Sequence, residues 1–315
     1  MAFRFLFLLV IPFLSGCSLT GQYIDIGFDR EIIPEGIAID PGTGRIFLSS
    51  IHKQKIITYD PANREGRDFI ASQEYGYKRG IGILIINNTL FALGSEPEQG
   101  IWHSVLLTFD LESNQLLHRF QINDTLSRLM NDLAVSKSNE VFITDTERHL
   151  VYRLEYPEGH IEPFLEHEEI KYPNGIAISE DGTRLFIDSW TSGIRIVDIA
   201  SKKILNPVHP PTSKFGIDGL KYYQGHLYAI RNSGKDKSKH GLYRIRLSDD
   251  ESSINDVVPL LTGHPKMNMP TTFCIQNDTA YILANSQLGN LDQDTNTILY
   301  PDSLTNTFIL PIKLN

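Results

Sequence analysis

"NGIAISEDGTRLFIDS", residues 174–189, holds a short apolar run, a polar turn and a second apolar run. That order reads as a β-hairpin, with Glu180 to Thr183 as the turn between segments rich in Ile and Phe. The plan recurs. Aligned on the aromatic residue of the second run, it appears as "GIAIDPGTGRIFLSS" at Phe47, "GIGILIINNTLFALGS" at Phe91, "NDLAVSKSNEVFITDT" at Phe142, "DGLKYYQGHLYAIRN" at Tyr228 and "TTFCIQNDTAYILANS" at Tyr281, with the quoted stretch at Phe186. Successive aromatic positions lie 44, 51, 44, 42 and 53 residues apart, or about 47 on average.

A repeat of that length is one four-stranded propeller blade. The second half of each unit supports this, because "IITYDPANREGRDF" (56–69), "LLTFDLESNQLLHRF" (106–120), "VYRLEYPEGHIEPF" (151–164) and "IRIVDIASKKILNPV" (194–208) each carry another apolar–turn–apolar pattern. The expected architecture is all-β: a six-bladed β-propeller with four-stranded antiparallel blades over residues 23–315. "QYIDIGFD" (22–29) and "FILPIKL" (308–314) are expected to share a blade and close the ring, since an open ring leaves a sheet edge unpaired.

The N-terminus reads differently. Arg4, an apolar run from Phe5 to Leu14 and the exit Leu14-Ser15-Gly16-Cys17 predict a lipoprotein signal peptide over 1–16, with lipidation at Cys17 and a tether over 17–22. The run is too short to span a bilayer comfortably. The expected location is outside the cytoplasm, lipid-anchored to a bacterial membrane. Ser18 after the cysteine favours the outer membrane.

Composition narrows the partners. At 41% hydrophobic and 21% charged, the 315 residues suit a folded domain with a large core. The net charge of -9 argues against nucleic acid. Two cysteines, Cys17 and Cys274, give neither a disulfide framework nor a thiolate metal site. The sequence has no G-x-S-x-G, H-E-x-x-H, P-loop or G-x-G-x-x-G pattern.

In a propeller the first strand of every blade lines the central channel, so the heads of those strands converge on one rim. Counting ten to twelve residues back from each aromatic marker gives Glu35, Arg79, Asn131, Asn174, Asp218 and Met269 or Pro270. Two carboxylates and two amides at equivalent positions need compensation when buried, and a hard cation supplies it. Ca²⁺ accepts six to eight oxygens, so Glu35, Asp218 and the carbonyls of Asn131 and Asn174 leave room for water or substrate. Ca²⁺ is the first expectation, with Mg²⁺, Mn²⁺ or Zn²⁺ as alternatives. Singly, Asn174-Gly175 and Asp218-Gly219 also read as turn dipeptides.

"PEGIAID", "MNDLAVSKSNEVFITDTE", "YPNGIAISEDGTRLFIDS" and "GIDGLKYYQGHLYAIRN" resemble the SMP-30/gluconolactonase-like propellers and their paraoxonase relatives. The resemblance covers nearly all of the chain after the signal. It implies a divalent metal in the channel, with Glu35, Asn131, Asn174 and Asp218 as ligands, and hydrolysis of lactones or related esters. Asp218 is the implied general base. Two departures stand out: "KRGIGIL" places Arg79 where paraoxonase-like members carry a channel histidine, and Gly36 stands where they carry a carboxylate for a second calcium, leaving Asp132 alone there.

Arg79 is accordingly expected either to orient a substrate carboxylate or oxyanion, or to salt-bridge Glu35 or Asp218. Trp102 and Trp190 are candidates to wall the pocket or to pack between blades. The expected protein is a monomer acting on a small-molecule lactone or ester. Its competitor is a non-catalytic, membrane-anchored binding propeller with a structural metal.

Overall fold

The computed structural model describes residues 23–213, 216–232 and 236–314. The predicted signal peptide, Cys17 and the tether lie outside the described residues. Six four-stranded antiparallel sheets follow one another around a ring, as expected. Blades 1 to 5 occupy residues 34–70, 80–120, 130–166, 173–204 and 217–262. Their inner strands are Pro34–Ile39, Gly80–Ile86, Met130–Val135, Pro173–Ile178 and Ile217–Tyr223.

Blade 6 joins the two ends of the chain. Its inner strands are Phe273–Gln276 and Thr279–Leu283, its third is Thr307–Lys313, and its outermost is the N-terminal strand Ile24–Ile26. Ile24 pairs with Ile309 and Ile26 with Thr307, so the expected closure is present. Asn306 Nδ2 donates to Asp25 Oδ1 at 2.7 Å beside that seam.

The core lies between blades. The aromatic markers sit on the second strand of each blade, and Phe47, Phe91, Phe142, Phe186 and Tyr228 each enter an apolar cluster shared with the following blade. Tyr281 packs at the edge of the cluster joining blade 6 to blade 1. Both faces of a second strand are therefore covered: Ile46–Ser50 is buried at every residue. This explains why these strands read as near-continuous apolar runs instead of alternating ones.

One excursion breaks the repeat. Residues 284–306, between the second and third strands of blade 6, carry a small hairpin (Leu291–Asp292 with Thr297–Ile298) and two short 3-10 turns. Leu291 and Leu304 pack on Ile33, and His52 Nδ1 lies 2.9 Å from the Asn296 carbonyl, so the excursion is fastened to blade 1.

Candidate functional site

Each inner strand of blades 1 to 5 carries a β-bulge near its head. In blade 1 Pro34 pairs with Ser50 and Ile37 with Leu48, so Glu35 and Gly36 together face Ser49. The same two-against-one count holds Ile81-Gly82, Asn131-Asp132, Asn174-Gly175 and Asp218-Gly219. A bulge re-aims the side chain it carries, and here it turns the first residue of each pair into the channel.

The second residue of the pair meets the next blade. A Cβ on Gly175 would lie 2.5 Å from the carbonyl oxygen of Asp218, and one on Gly82 would lie 2.7 Å from that of Asn131. Side chains from the facing second strand complete the contact. Ser49 Oγ accepts from Gly36 N at 2.8 Å and donates to the Ile81 carbonyl at 2.5 Å, while Thr144 Oγ1 donates to the Asn174 carbonyl at 2.7 Å. Asp188 occupies the matching place opposite the bulge of blade 4.

The register corrects two positions. Ile81, not Arg79, is the blade 2 counterpart of Glu35, and Thr271 takes the place expected for Met269 or Pro270. The cause is hairpin length. Blades 1 and 4 leave six residues between Ile39 and Ile46 and between Ile178 and Leu185, whereas blades 2 and 6 turn through Asn87-Asn88 and Asn277-Asp278 alone. The tighter turn sets the ring residue ten positions before the aromatic instead of twelve. Thr271 Oγ1 donates to the Glu35 carbonyl at 3.0 Å and continues the circle.

Glu35, Asn131, Asn174 and Asp218 come together. All four line a constriction of about 20 Å³, which is room for about one water-sized group. They also form the floor of a wider cavity of about 230 Å³ above it. Asn174 Nδ2 donates to Asp218 Oδ1 at 3.0 Å, Asn232 Nδ2 donates to Asp218 Oδ2, and Asn131 Nδ2 donates to Thr146 Oγ1 at 3.0 Å. Each ring amide thus gives its N–H to the protein and keeps its carbonyl oxygen for another group.

Charge is in excess here. Burial, together with repulsion from Asp218 and Asp132, holds Glu35 well above the usual carboxylate range. Burial pushes Asp218 up to about 7 against the opposing hydrogen bonds from Asn232 and Asn174, with Asp132 adding to the rise. Asp188 is raised by burial and by Asp218, and its Oδ2 has no hydrogen-bond partner. Lys221 Nζ, which lines the constriction, sits 2.9 Å from Asp132 Oδ2. That ammonium engages Asp132, the carboxylate that stands alone where the sequence resemblance implied a second calcium site.

A hard cation fits this donor set. Glu35 Oε2 is buried without a partner, which is costly for a carboxylate unless a positive charge reaches it. Among the described residues no group of three or more His, Cys, Asp or Glu is arranged to hold a metal, so an ion here would depend on the two amide oxygens as well as the two carboxylates.

Arg79 faces the upper cavity from two residues outside the ring. It is 5% exposed, donates through Nη1 to the main-chain oxygen of Gln293 on the blade 6 excursion, and places Nε 3.7 Å from Glu96 Oε1. Its ion-pair partner is therefore Glu96, in place of the Glu35 or Asp218 considered from sequence. Trp102 lines the cavity, together with Ile51, Ile81, Leu129 and Leu288. Trp190 is 49% exposed and does not line it. Sequence inspection missed Asp188, Asn232, Thr146 and Lys221. Only Asp188 left a trace, as the polar residue in "LFIDS" that parallels "FLSS" and "FITDT".

No curated protein matches this chain significantly. Among solved structures, the calcium-binding protein regucalcin from Agrobacterium tumefaciens superposes with a TM-score of 0.62 at 16% identity, covering 93% of this chain and 94% of that one. A gluconolactonase from Xanthomonas campestris gives 0.59 at 12%, covering 92% and 89%. Virginiamycin B lyase from Staphylococcus aureus gives 0.56 at 11%, covering 92% and 98%, so the shared architecture hosts more than one chemistry. The family model described as the SMP-30/gluconolactonase/LRE-like region matches residues 33–221, which include all four ring donors and well over half the chain. The chain belongs to the SMP-30/gluconolactonase/LRE-like family.

Proposed function

We propose that this propeller is a divalent-metal-dependent hydrolase of a lactone or related ester, with Glu35, Asn131, Asn174 and Asp218 holding the cation. The observation that carries this is the unpartnered Glu35 Oε2, buried in an oxygen-lined, negatively charged ring at the floor of a small-molecule cavity. A bound divalent cation, calcium by the hardness of the donors, would polarise the ester carbonyl and stabilise charge developing on its oxygen.

The remaining work falls to the chain. Asn174 and Asn232 orient Asp218 for acceptance of a proton from an attacking water. Trp102 and Leu129 exclude bulk solvent above it. Arg79 presents a positive group to the same cavity, and it engages a substrate oxygen by exchanging its contact with the Gln293 carbonyl.

The N-terminal pattern ending in Leu-Ser-Gly-Cys17 supports anchoring by lipid outside the cytoplasm, and Ser18 after it favours the outer membrane of a bacterium. One feature favours a non-catalytic binding propeller with a structural cation instead. Both oxygens of Asp218 are already engaged by amide N–H groups, which weakens it as a base.

Calcium titration of EDTA-treated protein, with turnover of aldonolactones and aryl esters, separates the alternatives. Binding lost in Glu35→Gln and Asp218→Asn, with calcium-dependent turnover lost in parallel, supports the hydrolase. Calcium binding without turnover of any substrate favours the binding propeller. No calcium binding removes the metal centre altogether.

A further inference from the structure

Above its polar floor the cavity is walled mainly by apolar side chains, Ile51, Ile81, Leu129, Leu288 and Trp102, with Arg79, Ser95 and Gln293 as the polar wall residues. Ile81 is the telling residue, because it stands at a ring position whose counterparts in blades 1, 3, 4 and 5 all bear oxygen-containing side chains.

Few polar wall groups remain free. The Ser95 hydroxyl is engaged by Ser104 Oγ at 2.7 Å and the Met130 carbonyl at 2.9 Å. Arg79 donates to the Gln293 carbonyl and lies 3.7 Å from Glu96, so it reaches a substrate oxygen only by giving up the first contact. A polyhydroxylated lactone would set most of its outward hydroxyls against the five apolar side chains, which offer them no partner, and buried polar groups without partners are disfavoured. An alkyl or aryl group would instead exchange water for apolar wall. At about 230 Å³ the cavity is smaller than those that take drug-sized ligands, which limits the substituent to a short one.

We propose that the site selects lactones or esters bearing a short alkyl or aryl substituent over sugar lactones. This specificity rests on the hydrolase assignment above. The residues that set it are Ile81, Ile51, Leu129 and Trp102, acting on binding of the substituent and not on the reacting carbonyl.

The test uses the full chain, calcium-loaded, carrying Trp190→Phe so that Trp102 is the sole tryptophan reporter. γ-Alkyl butyrolactams of increasing chain length are titrated as unreactive analogues beside glucono-δ-lactam, and kcat and KM are measured for the corresponding lactones. Affinity is expected to rise about fourfold per added methylene until the cavity is filled. The gain should appear in KM with kcat unchanged, and Ile81→Thr should erode it.

Tighter binding or faster turnover of the glucono compound overturns the proposal while leaving the hydrolase intact. Equal, weak response to both series also overturns it. Alkyl-lactam binding with no lactone turnover upholds the selectivity and removes the hydrolase assignment.

Discussion

Without a bound cation, this protein should lose stability as pH rises through neutrality. Asp218 is buried and its proton affinity is raised to about 7, against about 3.9 for a free aspartate, so the folded metal-free state holds a proton that the unfolded chain releases. A carboxyl group raised in this way favours the fold below its unfolded pKa and loses that favour as pH climbs through its folded one. Between pH 5 and pH 8 the loss from Asp218 alone is about 2.5 kcal/mol, using about 1.36 kcal/mol per unit. Glu35 and Asp188 are raised as well and act in the same direction.

Ion-paired carboxylates such as Asp124 and Asp40 are lowered instead, and their contribution disappears only under more acidic conditions, below this window. The EDTA-treated protein should therefore melt roughly 5 °C higher at pH 5 than at pH 8. Calorimetry at several pH values, with and without millimolar calcium, measures the slope. Calcium should abolish it, and Asp218→Asn should flatten it without metal. A metal-free protein as stable at pH 8 as at pH 5 would refute the charge excess on which the cation site is argued.

Gly175→Ala puts a methyl group 2.5 Å from the Asp218 carbonyl and 2.7 Å from Leu220 N, both backbone atoms of the next blade. It should destabilise by about 1–3 kcal/mol in urea melts and weaken calcium binding, because Asp218 must move. Lys221→Met leaves Asp132 beneath the ring without its cation; the metal-free protein should lose about 3 kcal/mol at pH 8 while calcium binds more tightly, as melts and calorimetric titration would show. Deleting residues 1–27 removes the strand paired with Thr307–Lys313 and exposes that edge. The truncated chain should self-associate on size-exclusion chromatography, and an unchanged monomer with an unchanged melting temperature would count against closure by that strand.

Blade number and closure were legible because each blade repeats one aromatic on its second strand, and that aromatic packs against the following blade. Glu35, Asn131 and Asn174 were legible because their longer hairpins put the ring residue eleven or twelve positions before the marker, and Asp218 because its two-residue turn puts it ten before Tyr228, still within the range counted. Arg79 was placed on the ring by carrying the count of twelve into a blade with a two-residue turn, where the spacing is ten, as it is in blade 5. The Lys221–Asp132 pair was out of reach, since 89 residues separate its members and only a closed ring brings them together. Asn232 and Thr146 lie just past the ends of second strands, and nothing in their local sequence points at a ring residue.

The bulge backbone holds each blade against its neighbour through main-chain oxygens, and this frees the identity of the side chains it presents. Ile81 shows the freedom in use: its carbonyl takes the Ser49 hydroxyl as the Asn174 carbonyl takes Thr144, yet its side chain contributes no donor. A lineage, or a protein engineer, can therefore rewrite the chemistry one spoke at a time while the wheel keeps its shape. Ile81→Asp would be a direct trial of that modularity, adding a charged spoke without touching the rim.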